Sequence, residues 1–240
     1  MRRLKKRIVL LAIVLLLAAG NMLVEHFGKQ NDVGQQDTIL NTDLEKIPEY
    51  SGKSYVIIND NQPDFTESDM QSDAYEFYSE MDAYGRCGVA EANLGPELAP
   101  TEDRGNIGHV KPSGWQLVKY DVIDGKYLYN RCHLIGFQLA GENANAKNLI
   151  TGTRYMNTEG MLPFENMVDD YIEETGNHVL YRVTPIFEGN NLVASGVQME
   201  AKSVEDNGAG ICFNVYVYNV QPGIEIDYAT GESRMKEAEK

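Results

Sequence analysis

Cysteine is scarce in this chain of 240 residues: three in all, Cys87, Cys132 and Cys212, with no CxxC pair. That scarcity excludes a disulfide-dense secreted scaffold and a structural zinc knuckle. Low-complexity runs, collagen-like periodicity and internal repeats are absent as well, and 42% hydrophobic residues is too many for a disordered chain. Bases are outnumbered, 21 against 36 acids, for a net charge of −15. Taken whole, that balance argues against a polyanionic partner. Composition describes one sizeable, anionic, globular core and stops there.

Mapped along the chain, the charge reads differently. Residues 104–160 carry seven bases (Arg104, Lys111, Lys119, Lys126, Arg131, Lys147, Arg154) against four acids (Asp121, Asp124, Glu142, Glu159), while the rest holds 14 bases and 32 acids. Binding follows local potential, so a basic stretch inside an acidic protein can still meet a polyanion.

The N-terminus opens Met1-Arg2-Arg3-Leu4-Lys5-Lys6-Arg7, followed by an almost wholly apolar run over 8–24. A basic flank before an apolar run is an export signal, which leaves the bases in the cytoplasm and the rest outside. Ala18-Ala19-Gly20 offers a cleavage site, but the run resumes through Met22-Leu23-Val24, which favours an uncleaved signal-anchor over a cleaved signal. No cysteine follows closely, so a lipoprotein anchor is excluded. The predicted organisation is a signal-anchor or signal peptide over 1–24, a polar linker over 25–50, a folded domain over 51–233 and a polar tail over 234–240.

Within the domain, Tyr55-Val56-Ile57-Ile58 reads as a strand stopped by Asn59-Asp60-Asn61. Met70, Ala74, Phe77, Met81 and Tyr84 recur at helical spacing, although residues 75–78 suit a strand equally. Strands are expected over 115–120 and 127–135. Residues 157–175 read as a helix with Met161, Phe164, Val168 and Ile172 on one stripe, Gly176 as its stop and Pro163 as a kink or a delayed start. Strands over 179–184, 192–199 and 211–220 close the domain, the last alternating Phe213, Val215 and Val217 against Asn214, Tyr216 and Tyr218. The predicted class is α+β, a mostly antiparallel central sheet with flanking helices.

The chemistry concentrates in Asn130-Arg131-Cys132-His133, then Asn148, then Asn157 and Glu165. On a strand, Arg131 and His133 share a face. On a helix, Asn157 and Glu165 stand about 80° apart and can face one site. An imidazole, a guanidinium, a neutral oxygen ligand and a carboxylate suit metal-assisted phosphodiester cleavage. Taken singly, each has a plain structural explanation. Asn157 is a helix cap, Glu165 one more charge among Asp169, Asp170, Glu173 and Glu174, and a lone histidine such as His109 or His178 a surface or core residue. Cys132 beside His133 does not make a thiol nucleophile and base, because neighbouring strand residues face opposite ways.

These residues together resemble the DNA/RNA non-specific endonucleases of the Serratia-nuclease type, with their ββα-metal (His-Me finger) core. Within that family the chain is similar to the anchored or secreted Gram-positive DNA-entry nucleases. The family's Asp-Arg-Gly-His motif stands here as Asn130-Arg131-Cys132-His133, and its downstream Asn, Asn and Glu as Asn148, Asn157 and Glu165. The resemblance spans about 52–233. It implies a DNA- and RNA-cleaving endonuclease with His133 as general base and Asn157 as the one direct ligand of Mg²⁺, for which Mn²⁺ can substitute. It further implies that Glu165 holds metal-bound waters, Arg131 stabilises the phosphate and Asn148 supports the loop beside the metal. A second substrate-contacting arginine is either Arg86 or Arg104. Asn130 in place of Asp loses a charge that orients the arginine, and Cys132 in place of Gly adds a side chain. Two rivals remain: a non-catalytic extracellular DNA-binding surface protein that kept the fold, and an exported hydrolase of another substrate. Cys87 and Cys212 are candidates to pair in an exported protein, with the connectivity left open.

Overall fold

The structure, a computed structural model, describes residues 38–39, 47–70 and 73–237, all within the unit Thr38–Lys240. The apolar N-terminal run, most of the polar linker and the end of the tail lie outside the described residues. No helix among the described residues is long and apolar enough to cross a membrane.

The core is a seven-stranded sheet. It is built from β1 (Thr38–Ile39), β2 (Tyr55–Ile58), β3 (Tyr75–Tyr78), β4 (Ala90–Leu94), β7 (Val179–Ile186), β8 (Gly196–Ser203) and β9 (Cys212–Tyr218). Their order across the sheet is β1-β2-β9-β8-β7-β4-β3, antiparallel at every pairing except β1 with β2. Period-two alternation gives the sheet two unlike faces. Val179, Tyr181 and Val183 of β7, Val197, Met199 and Ala201 of β8, and Phe213, Val215 and Val217 of β9 all enter the main core. The opposite face carries Arg182, Gln198, Glu200 and Asn214, and the 59–64 turn satisfies part of it. There Asn214 donates to the Gln62 carbonyl and the Asp64 amide donates to Glu200, both at 2.8 Å.

Against the apolar face lies a ββα unit. Its parts are the hairpin of β5 (Tyr129–His133) and β6 (Leu149–Thr153), and the helix α2 (Leu162–Thr175); the short α1 (Phe137–Ala140) sits in the β5–β6 connection. A small hairpin, β10 (Ile224–Ile226) with β11 (Ser233–Met235), completes the order. In α2 the buried positions Phe164, Glu165, Val168, Tyr171 and Ile172 form one stripe. Burying Phe164, Val168 and Ile172 stabilises the docking by roughly 1.5–3 kcal/mol each. Pro163 follows directly on the 156–161 π-turn, where the Leu162 N–H bonds back to the Asn157 carbonyl, so the N–H that proline lacks falls where the helical ladder is already widened. Gly176 takes φ 69° and its N–H caps the Ile172 carbonyl, ending the helix.

One open reading is decided and two expectations are corrected. Residues 75–78 are an edge strand, not part of a helix, because β4 supplies a partner in register from Tyr75↔Asn93 to Tyr78↔Ala90. Residues 115–120 make only one bridge, Lys119 to Tyr127, in place of a strand. Residues 156–161 form a wide π-turn before α2 instead of its first α-turns. All three cysteines are free. The Cys87 thiol donates to the Ala146 and Leu149 carbonyls, whereas Cys212 lies beside Asn61, so the two have no common surroundings in which to pair. Cys132 is fully buried, and burial pushes its thiol well above the ordinary range.

Candidate active site

The ββα unit delivers its polar side chains to a single cavity of about 520 Å³. Alternation along β5 sends Cys132 into the core and His133 to the cavity, as strand geometry requires. Asn157 reaches the same cavity from the π-turn and Glu165 from α2. Two glycines make this convergence sterically feasible. A Cβ on Gly160 would strike Val217, so the π-turn can lie against β9 only without one. A Cβ on Gly136 would stand 3.1 Å from the Glu165 carboxylate, so Gly136 leaves that group its space.

His133 is 6% exposed and held at both ring nitrogens. Nε2 lies 2.9 Å from the Asn143 carbonyl oxygen and Nδ1 lies 3.3 Å from Arg104 Nη2. A carbonyl only accepts and a guanidinium only donates, so both contacts require the same neutral tautomer, protonated at Nε2 with a lone pair at Nδ1. Burial lowers the imidazole pKa below 6.5, and the nearby Arg104 charge lowers it further against the opposing Asn143 carbonyl.

Glu165 is 8% exposed, and the donor that reaches it among the described residues, Gln138 Nε2, is distant at 3.4 Å. Burial pushes its carboxyl up to about 7, with Gln138 and Arg104 pulling the other way. A carboxylate this poorly compensated is the feature a cation would satisfy. Among the described residues no group of three or more His, Cys, Asp or Glu side chains gathers as a metal cage. One carboxylate and one amide oxygen instead suit a hard cation that keeps most of its water.

The remaining residues divide clearly. Asn130 borders the cavity. Asn148 is fully buried behind it, where Oδ1 accepts from the Ile135 N–H at 2.9 Å and Nδ2 donates to the Ile135 carbonyl at 3.0 Å, bracing the turn that follows His133. Arg131 lines the cavity too, but its guanidinium is engaged elsewhere. Nη2 donates to the Gly108 carbonyl at 2.7 Å, Nε donates to the Val110 carbonyl, and the group stacks 4.0 Å from the Trp115 ring centroid. Backbone carbonyls thus orient this arginine where the family motif would have a carboxylate. The guanidinium that faces His133 belongs to Arg104. Arg86 lies outside the cavity lining, ion-paired with Asp82 at 2.7 Å and bonded to the Gly189 and Asn191 carbonyls. Gln138 and the Asn143 carbonyl were missed from sequence; a side chain acting through its neighbour and a backbone oxygen carry no sequence signal.

The family model for DNA/RNA non-specific endonucleases matches residues 66–205, more than half the chain and every residue just placed on the cavity. The chain belongs to that family. It is therefore a nuclease, and its substrate is nucleic acid. Crystal structures of NucA from Streptococcus agalactiae, one without metal and one with magnesium bound, resemble it with a TM-score of 0.67 each. They are 27% and 26% identical, over 76% of this chain and 87% and 89% of theirs. The Sda1 nuclease, solved with a bound zinc ion, shares the fold at 23% identity and TM-score 0.65, over 78% of this chain and 97% of its own.

Proposed function

We propose that this nuclease is a Mg²⁺-dependent, sugar-non-specific endonuclease that hydrolyses internal phosphodiester bonds of DNA and RNA from the outer face of the cell membrane. The observation that carries the reading is His133, a buried imidazole locked as its Nε2–H tautomer and kept neutral near pH 7. When Arg104 turns from it to the phosphate, the Nδ1 lone pair is free to accept the proton of the attacking water, a role worth roughly 10²–10⁴-fold in rate. Arg104, beside that lone pair, offers its N–H groups to the phosphate oxygens as negative charge builds on them. Arg131 fixes the 108–110 backbone and thereby the approach of that segment to the cavity.

Asn157 and Glu165 would hold the metal, Asn157 through its side-chain oxygen and Glu165 through hydrogen bonds to coordinated water. When bound, a divalent cation supplies positive charge to the scissile phosphate and the leaving oxygen. The donor set favours Mg²⁺, or Mn²⁺ in its place, over zinc, which prefers a cage of nitrogen and sulfur. The magnesium in one NucA structure supports this choice. The roles given to these residues are all toward water, metal and phosphate and none toward a base edge, which supports cleavage indifferent to sequence and sugar.

The basic flank and apolar run of residues 2–24 support anchoring to the membrane. After a carbonate wash the full chain should stay with membranes and be open to external protease; a soluble form beginning near Asn21 would show a cleaved signal. For the activity, plasmid DNA and RNA are incubated with Mg²⁺, with a chelator as control. Digestion that the chelator stops supports the proposal. Gel retardation without cleavage would leave only a DNA-binding module.

A further inference from the structure

Beside the reacting groups, the same cavity has an unexplained apolar rim. Leu117 is 75% exposed, Tyr127 43% and Leu162 37%, and all three line it. Leu117 and Tyr127 belong to a two-stranded finger formed by Lys119 bridging Tyr127, with the Tyr120 amide bonded to the Lys126 carbonyl at 2.8 Å. Val118, Tyr120 and Leu128 of that finger pack into a small separate core, together with Trp115 and Tyr129 at its base. The bridge sets Lys119 beside Tyr127, and the exposed Leu117 lines the cavity with Tyr127. The Lys119 ammonium lies 4.3 Å from the Tyr127 ring centroid. Fold stability does not account for Leu117 and Tyr127, because neither enters that core or the main one.

We infer that Leu117 and Tyr127 form a shelf that takes one unstacked nucleobase of the substrate strand next to the scissile phosphate. The inference rests on the proposed nuclease reading and names the form of nucleic acid it prefers. Charge complementarity supports a nucleotide as the occupant. Arg104 lines the same cavity and Lys119 stands on the shelf itself, so cations for phosphate and flat apolar surface for a base occur within one site. Every base has an apolar face, so such a shelf holds any base without reading its edges. A base in a duplex is stacked on both sides and must be extruded first, at a cost of a few kilocalories per mole. The shelf therefore favours single strands and unpaired nucleotides over intact duplex.

The test measures binding without turnover, using the full chain in detergent with chelator present. The probes are an end-labelled oligothymidylate and an abasic strand of the same length and charge, followed by fluorescence anisotropy. The wild type should prefer the strand with bases by on the order of tenfold. The double variant Leu117→Ser/Tyr127→Ser should bring the ratio near one. Tyr127→Phe should keep the ratio, and Leu117→Trp should raise it by enlarging the stacking surface, so a variant that folds poorly does not decide the matter alone. A wild-type ratio near one, or a ratio untouched by the double variant, overturns the shelf. Because this ratio is read in chelator, it stands or falls separately from the Mg²⁺ digestion, whose failure would overturn the nuclease reading itself.

Discussion

Arg104 donates toward the one lone pair that His133 has left, with Nη2 3.3 Å from Nδ1 while Nε2 is tied to the Asn143 carbonyl. The two side chains are far apart in sequence and meet because residues 104–115 cross the open face of β5, fastened there by Arg131. The contact holds the base in its reactive tautomer, and a fixed positive charge beside the base opposes its protonation.

The first consequence is a displaced pH profile. Activity requires neutral His133, so kcat/KM should rise with pH through a pKa below 6.5, lowered first by burial and then by Arg104. Arg104→Ala removes the second cause and should move this limb to higher pH, besides lowering the plateau. His133→Ala should abolish the limb and reduce turnover by roughly 10²–10⁴-fold while DNA affinity persists. Near-wild-type cleavage by His133→Ala would remove it from the mechanism.

Metal dependence separates Asn157 from Glu165. Asn157→Ala loses the direct ligand and should raise the Mg²⁺ concentration for half-maximal activity on the order of 10- to 100-fold. Glu165→Gln acts through water and should raise it less. Magnesium titrations of cleavage rate check this; an unchanged Mg²⁺ requirement in Asn157→Ala would contradict the ligand assignment.

Glu165 should also be a stability liability. Its folded pKa is raised from 4.5 to about 7, so the folded state holds the proton more tightly than the unfolded one. Stability from the neutral form is present below about pH 4.5 and is lost as pH climbs toward 7. Without metal at pH 8, Glu165→Gln should therefore be more stable than wild type, on the order of 2 kcal/mol or about 5 °C in Tm, and the gain should vanish at pH 4.5. Calorimetry at the two pH values reads the difference. A less stable Glu165→Gln at pH 8 would mean that the carboxylate is better compensated than the distant Gln138 donor suggests.

Asn148 offers a contrasting case. Asn148→Ala strips the buried Ile135 N–H and carbonyl of their side-chain partners. Leaving these groups unpaired should cost about 2–5 kcal/mol in urea unfolding. Activity should fall through misplacement of the turn after His133, with the Mg²⁺ requirement little changed.

Much of the fold is written locally. The stripe Phe164, Val168, Ile172 with Gly176 after it names α2, and the alternation of Phe213, Val215 and Val217 names the two-faced strand β9, because each pattern is the period of its own element. The spacing of His133, Asn157 and Glu165 is likewise local enough for a family motif to preserve, and the three residues do line one cavity. Tertiary partners decided the rest. Residues 75–78 carry both periods, and only the edge of β4 made them a strand. Residues 115–120 have strand composition but found a single bridge. Nothing near Arg86 or Arg104 in the chain distinguishes them; Arg86 is neutralised by Asp82, while Arg104 lies on the segment that crosses β5 and so reaches the imidazole. The burial that shifts the His133 and Glu165 pKa values was equally out of reach, because desolvation is set by what packs around a group, and that packing is assembled from residues distant in sequence.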